Sequence, residues 1–236
     1  FDDTATPYLL GQTVDGFTCS FNGMPPPADV AVARRDALSY AAYRLLHHRF
    51  RISPGGAISL SRFLALFSDL GNDRAFTSTD YQQGSPAALG NHIADCQIAF
   101  GLKYGANEAQ EYTNDYYTPV NPPLMVDLPG NPDLLDPNRW QPLTLERFID
   151  QSGNPSGTTP DFLSPEWGNV TPFALTEADR TDYERYGGAY RVYHDPGMPP
   201  TLQEDGEGLS EAYQWGFTLV SVWSAHLDPS DGVLCD

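Results

Sequence analysis

The chain has 236 residues, enough to bury a substantial core as one large domain or two small ones. Its net charge of -18, from 13 basic and 31 acidic side chains, argues against nucleic acid and anionic membrane surfaces as partners. No apolar run approaches the roughly 18 residues that a membrane-spanning helix needs. Three cysteines are too few for a disulfide scaffold.

Residues 1–28 are rich in Gly, Pro, Thr and Asp, which predicts an extended N-terminal arm. The chain begins with Phe1 rather than Met, and either truncation or processing would explain this. Removal of a signal peptide would be one such process, and it slightly favours an extracytoplasmic or secreted protein. A disulfide among Cys19, Cys96 and Cys235 is compatible with the sequence, which leaves the pairing open.

Residues 29–236 are expected to form one helical domain. Its helices are predicted near residues 30–50, 59–70, 86–104, 176–187 and 207–226. Asp29 is a suitable cap for the first helix. Ala33 and Ala37 recur on that helix at helical spacing, and such small residues let another helix approach closely. Ser85 followed by Pro86 is typical of the start of a helix.

Two of these helices carry further signals. His47 and His48 lie near the end of the first helix, where they are expected to interact with its C-terminal carbonyl groups. The last helix is apolar over more than one stripe, and a helix of this kind favours burial on several sides. Its clustered apolar residues are Phe217, Leu219, Val220, Val222 and Trp223.

A proline-rich segment over 113–175 is predicted to be an irregular wrap over the core, because frequent prolines prevent long helices and interrupt sheets. Its aromatic residues are too many for a disordered linker. Five aromatic side chains are predicted to be structural anchors, four in the wrap and one in the last helix: Trp140, Phe162, Trp167, Phe173 and Trp223. The fold class expected from these elements is all-α, a helical bundle with long proline-rich irregular connections.

Several segments of the chain match one family in order. They are Thr77–Asp80, Gly84–Asn91, Gly105–Glu108, Pro119–Leu124, Trp140–Leu143, Phe162–Leu175 and His226–Gly232. Together they resemble the N-terminal helical half of vanadium-dependent haloperoxidase-like proteins, which belong to the phosphatidic-acid phosphatase type 2 superfamily. The resemblance runs from about residue 29 to the last residue, and its motifs are scaffold motifs rather than catalytic ones.

The resemblance implies a pocket for vanadate or phosphate, held by Lys-x6-Arg-Pro, Pro-Ser-Gly-His and Ser-Arg-x5-His motifs. Cations and amide donors suit an oxyanion in a desolvated site. This chain has none of the three motifs. Gln110 stands seven residues after Lys103, Asn154 replaces the histidine after Ser152-Gly153, and Ser68 replaces the histidine after Ser61-Arg62. No catalytic, cofactor-binding or metal-binding residue can therefore be assigned, and vanadate is implied only for a full-length parent.

Other chemistry has little support in the sequence. The five histidines form no zinc-binding pair on one helix. Acidic loops could supply oxygen ligands to calcium, but turn chemistry explains them equally well. These loops hold Asp127, Asp133 and Asp136, and Asp228 and Asp231. A paired-carboxylate hydrolase has no sequence signature and stays as a third alternative.

The sequence therefore predicts the N-terminal scaffold half of a vanadium haloperoxidase-like enzyme, whose vanadate-binding residues would lie in a missing C-terminal half. The parent would be an oxidoreductase that oxidises halide with hydrogen peroxide, or a related phosphatase, while this chain alone is expected to be inactive. The alternative is a stand-alone binding or assembly module that kept the scaffold and lost the chemistry. The expected partner is accordingly the C-terminal half or another copy of the chain.

Overall fold

The computed structural model describes residues 6–149, 155–156, 159–185, 188–195, 197, 201–202 and 210–227. Within those residues the α-helices are α1 (Val30–Phe50), α2 (Gly56–Asp69), α3 (Pro86–Gly101) and α4 (Glu211–Ala225). The described strands are β1 (Thr13–Val14), β2 (Phe17–Thr18), β3 (Leu124–Met125), β4 (Leu143–Thr144), β5 (Phe148–Ile149), β6 (Pro155–Ser156), β7 (Thr181–Arg185) and β8 (Gly188–Val192).

The predicted all-α helical bundle is wrong, because the fold has mixed α and β content. The eight strands pair as four two-stranded sheets: β1 with β2, β3 with β4, β5 with β6, and β7 with β8. Three pairs are antiparallel, and β3–β4 is parallel. Six of the eight strands are only two residues long. Four of these, β3 to β6, lie in the proline-rich segment 113–175, where prolines allow extended backbone but few consecutive ladder hydrogen bonds.

The predicted helix over 176–187 is likewise wrong. Its first residues form a short 3-10 turn, Glu177–Asp179, and β7 follows immediately. The Thr176 side chain and the Asp179 carboxylate cap this turn reciprocally. The N–H and hydroxyl groups of Thr176 donate to that carboxylate and hold the pKa of Asp179 below its ordinary value. After the turn, strand pairing with β8 replaces the helix.

The centre of the molecule is the packing of α1 against α3. The predicted small-residue face is confirmed, since Ala33 and Ala37 of α1 are buried, and Gly90 of α3 lies directly against that face. A Cβ atom at Gly90 would overlap the carbonyl oxygen of Ala37 and would lie 2.8 Å from Cβ of Tyr40. The backbones of α1 and α3 therefore approach so closely that only glycine, which has no Cβ atom, fits at residue 90.

The second helix packs against α1 through aromatic rings. The Phe67 ring stacks on Tyr43, with ring centroids 4.2 Å apart, and meets the edge of Tyr40 at 4.9 Å. The helix starts at Gly56, three residues earlier than predicted, because Gly55 in the left-handed region turns the chain directly into it. Gly71 follows its end and donates its N–H to the carbonyl of Ser68, as is usual for a glycine after a helix.

The N-terminal residues are more ordered than an extended arm. The hairpin β1–β2 carries Leu9 and Cys19 into a small core with Cys96 and Phe100 of α3. A disulfide joins Cys19 to Cys96, while Cys235 lies outside the described residues. The pairing that the sequence left open thus attaches the arm to α3.

The described part of α4 stands apart from this core. It begins at Glu211 after the capping Ser210, whose hydroxyl accepts from the N–H of Tyr213; residues 207–209 of the predicted helix lie outside the described residues. It shares no extensive contact with another described helix or strand. Among the described residues, no helix is both long and apolar enough to cross a membrane.

Candidate functional site

Asn121 is the centre of the wrap, although the sequence analysis gave it no role. Its side chain is only 2% exposed. The Nδ2 group donates to the carbonyl oxygens of Asp136, Arg139 and Trp140, and Oδ1 accepts from the N–H groups of Leu135 and Asp136. One amide side chain thus satisfies the backbone of a loop that has no ladder of its own.

We expect Asn121→Ala to lower the free energy of unfolding by about 2 kcal/mol, because it removes a buried amide and leaves several partly buried backbone groups without partners. Thermal and urea denaturation, followed by tryptophan fluorescence, measure the effect. Asn131→Ala is the matched control, since Asn131 is an exposed amide in the same wrap and should change stability by less than about 0.5 kcal/mol. Equal effects of the two substitutions would contradict the role assigned to Asn121.

Two of the predicted anchors form one aromatic cluster. Trp140 and Phe162 meet edge to face with ring centroids 5.0 Å apart, and Tyr117 packs on Phe162 at 4.6 Å. The cluster lines a cavity of about 650 Å³ at the surface of the wrap. Phe162 is half-buried and Trp140 is more exposed, so both rings hold the loop together at its surface rather than deep in a core.

Of the other three anchors, Trp167 and Phe173 are not in the buried positions that were expected of them, and Trp223 lies on the apolar surface of α4. Trp167 is 68% exposed, Phe173 is 77% exposed and Trp223 on α4 is 68% exposed. Trp167 lies in the 3-10 turn Pro165–Asn169, where consecutive side chains point about 120° apart. The turn directs Glu166 inward, at 3% exposure, and Trp167 outward. Phe173 retains one contact, with the ring of Tyr8 at 4.7 Å.

Two of the segments that carry the family resemblance, Gly105–Glu108 and Phe162–Leu175, meet in space. A Cβ atom at Gly105, which has a φ of +103°, would overlap the carbonyl group of Asn169, so the two motifs touch through their backbones. The N–H of Thr171 donates to the carbonyl of Tyr104 at 2.8 Å, and its hydroxyl donates to the carboxylate of Asp15 at 2.7 Å. The Phe162–Leu175 segment is thereby fixed to the end of α3 and to the N-terminal hairpin.

Glu108 holds the end of α1 through a partly buried ion network. Its Oε1 lies 2.8 Å from Nε2 of His48, and its Oε2 lies 2.9 Å from Nη1 of Arg49 as an ion pair without hydrogen-bond geometry. Arg51 donates to Nδ1 of His48 at 2.9 Å, so both ring nitrogens are engaged. Arg49 also donates to the hydroxyl of Tyr112. Burial raises the pKa of Tyr112, which Arg49 partly offsets.

This network corrects the expectation for the two histidines. Arg51, rather than a histidine, donates to a carbonyl near the end of the helix, that of His48, at 2.7 Å. His48 points to Glu108 instead. Because Glu108 already binds two basic groups and both nitrogens of His48 are occupied, the network holds the structure together and offers no free general base.

The residues nearest to the family's vanadate motifs do not form a vanadate site. Nζ of Lys103, the only lysine, lies 5.9 Å from the centre of the Phe17 ring. Gln110 lies in a separate 3-10 turn, Ser61 and Arg62 are exposed on α2, and Ser152–Asn154 lies outside the described residues. Among the described residues, these positions therefore lie on separate elements of the fold.

Cys19, His92 and Cys96 come close enough to hold a metal ion, since one ligand atom from each lies within 4.8 Å of the others. Both sulfur atoms are committed to the disulfide, however, so they are not available as thiolate ligands. Nε2 of His92 instead lies 2.7 Å from the carbonyl oxygen of Ser20. The three residues fix the N-terminal hairpin to α3.

Comparison with known proteins identifies no relative. No family model, no curated protein and no solved structure matches the chain. The function is therefore inferred from the residues and from their arrangement.

The helix α4 is the most conspicuous apolar surface of the described structure. Five of its large apolar side chains are exposed: Trp215, Phe217, Val220, Val222 and Trp223. At about 100° per residue they cover an arc of roughly 220° around the helix, which is wider than one stripe, while Gln214, Thr218 and Ser221 share the remaining polar face. A helix with so wide an apolar surface favours burial against other elements on more than one side.

Proposed function

We propose that this chain is the N-terminal scaffold half of a vanadium haloperoxidase-like protein, and that α4 docks against the catalytic half. The observation that carries the proposal is the exposure of apolar side chains around more than half of the circumference of α4. Trp215 and Trp223 lie on this helix, and large aromatic side chains dominate the energy of protein interfaces. Vanadate would be bound by residues of the catalytic half.

The packing of the resemblance segments supports the same proposal. Asn121 holds the Pro119–Leu124 and Trp140–Leu143 segments together, and Gly105 brings Gly105–Glu108 against Phe162–Leu175. These four segments thus contact one another in pairs, through hydrogen bonds or close backbone packing, rather than lying apart on the surface. This is what is expected of a scaffold whose sequence is constrained by packing rather than by chemistry.

A specific observation favours the second candidate, a module that assembles with its own copies. The surface between α1 and α2 carries an open apolar cavity of about 260 Å³. Its exposed leucines are Leu38, Leu46, Leu66 and Leu70. A second copy could cover this cavity as well as α4, and no catalytic half would then be required.

The isolated chain should show no halide oxidation by hydrogen peroxide and no phosphate-ester hydrolysis, with or without added vanadate, because the Lys, Arg and His residues of the three motifs are missing. A monochlorodimedone halogenation assay and a nitrophenyl phosphate assay measure the two reactions. A vanadium-dependent haloperoxidase assayed in parallel is the positive control. Halide-dependent turnover that scales with vanadate would overturn the proposal.

The intact mass of the natural protein separates the two candidates. A parent several hundred residues longer supports the scaffold half, whereas a natural protein of 26.0 kDa supports the assembly module. Light scattering of the isolated chain adds a second criterion. A strictly monomeric chain in a 26.0 kDa natural protein would contradict both candidates.

A further inference from the structure

A recess beside the end of α1 brings together three of the chain's 13 lysine and arginine side chains. Its volume is about 470 Å³. Five basic side chains line it: Arg44, His47, His48, Arg51 and Arg74. Four of them follow one face of α1 at helical spacing, and Arg74 comes from the loop between α2 and α3.

The charge of this recess is opposite to that of the protein as a whole. The chain has 31 acidic and 13 basic side chains, so a cation on the surface would ordinarily find a carboxylate nearby. Among the described residues, Asp95 is the one acidic residue that lines the recess, and it forms no described ion pair there. His48 is already paired with Glu108. The three arginines have no carboxylate partner among the described residues, so a bound anion would relieve their mutual repulsion.

The walls of the recess are held firmly in place. Nε of Arg44 donates to Oδ1 of the buried Asn91, and its Nη2 donates to the carbonyls of Arg74 and Phe76. The hydroxyl of Tyr40 donates to the carbonyl of Asp73. The backbone that carries Arg74 is therefore fixed to α1 before any ligand arrives, which reduces the entropic cost of binding.

Donors in the recess are nevertheless unused. In the described part of the chain, the guanidinium of Arg74 has neither a hydrogen-bond acceptor nor an ion-pair partner. His47 makes a ring contact with Tyr43, and its nitrogens form no described hydrogen bond. Arg51 uses only Nη1, toward His48. These three side chains supply several charge-assisted donors to one space.

We propose that this recess binds a phosphate group, either as inorganic phosphate or as a phosphate monoester. Guanidinium groups match the oxygen geometry of phosphate, and three arginines converge here. The remaining walls include Tyr43, Ala75 and Ile98, which could accommodate the organic part of an ester. This is a binding site only, and no reaction is assigned to it.

The test is isothermal titration of the chain with inorganic phosphate and with phenyl phosphate, at fixed ionic strength in a chloride buffer. Arg74→Ala should weaken binding about tenfold or more, because it removes a charge-assisted partner without removing any internal hydrogen bond. Arg62→Ala is the matched control, since Arg62 is an exposed arginine on α2 outside the recess, and it should change the affinity less than twofold. Asp95→Asn should strengthen binding.

The outcomes separate the sources of the phosphate group. Tighter binding of phenyl phosphate identifies a monoester as the ligand, and equal or weaker binding identifies free phosphate; both support the site. No saturable binding of either probe overturns it. Equal losses from Arg74→Ala and Arg62→Ala also overturn it, because they would indicate attraction by overall charge. This titration does not depend on whether the chain is active with vanadate, so its result is independent of the test of the proposed function.

Discussion

Replacing both Cys19 and Cys96 by serine should lower the free energy of unfolding by about 4 kcal/mol. The bond joins residues 77 positions apart. In the chain-entropy description, a cross-link over a loop of this length restricts the unfolded chain by about that amount. Both cysteines are also buried against Leu9 and Phe100, so their loss weakens the contact between the N-terminal hairpin and α3. Urea denaturation followed by circular dichroism measures the change.

The reduced wild-type chain is the control for this substitution. If the cross-link causes the stabilisation, dithiothreitol should lower the wild-type unfolding midpoint to that of the double variant and should leave the variant unchanged. A difference of less than about 1 kcal/mol between the oxidised and reduced wild type would contradict the assignment.

Gly90→Val should destabilise the chain by about 3 kcal/mol, because the helices α1 and α3 are in backbone contact there. The added Cβ would overlap the carbonyl oxygen of Ala37 and press on Tyr40, which also packs against Phe67 of α2. Relief requires the two helices to separate, which opens the core between them. Thermal unfolding measured by circular dichroism at 222 nm gives the loss of stability.

Gly216→Ala on α4 is the matched control for Gly90→Val. No heavy atom lies within 4 Å of a Cβ atom at this position, so alanine fits without strain. It should leave the stability of the core unchanged and favour α4 slightly, because alanine has a higher helix propensity than glycine by about 1 kcal/mol. A similar loss from both substitutions would show that α1 and α3 are not held by close contact at Gly90.

The sequence was most informative where local signals act within one helix. Asp29 and Ser85 cap α1 and α3 as predicted, because capping depends on neighbouring backbone groups. The prediction of a helix over 176–187 was wrong because pairing with β8 determines the conformation of this segment. The pattern of one segment does not show which other segment it pairs with. The short sheets of the wrap were missed for the same reason.

The candidate sites depended still more on distant contacts. Nothing local distinguishes Asn121 from other asparagines, since its role arises from a loop 14 to 19 residues further on. The phosphate recess did leave a signal, because Arg44, His47, His48 and Arg51 share one helix face. Its completion by Arg74, however, requires the fold of the loop after α2.

The bond between Cys19 and Cys96 also affects how the chain is made. It closes a ring that contains the whole of α1 and α2, so it can form only after α3 has left the ribosome. The two enclosed helices can pair before the ring closes. Such bonds persist in oxidising compartments. A chain folded in a reducing cytosol would hold its N-terminal hairpin by noncovalent contacts alone, and would expose that hairpin to proteases.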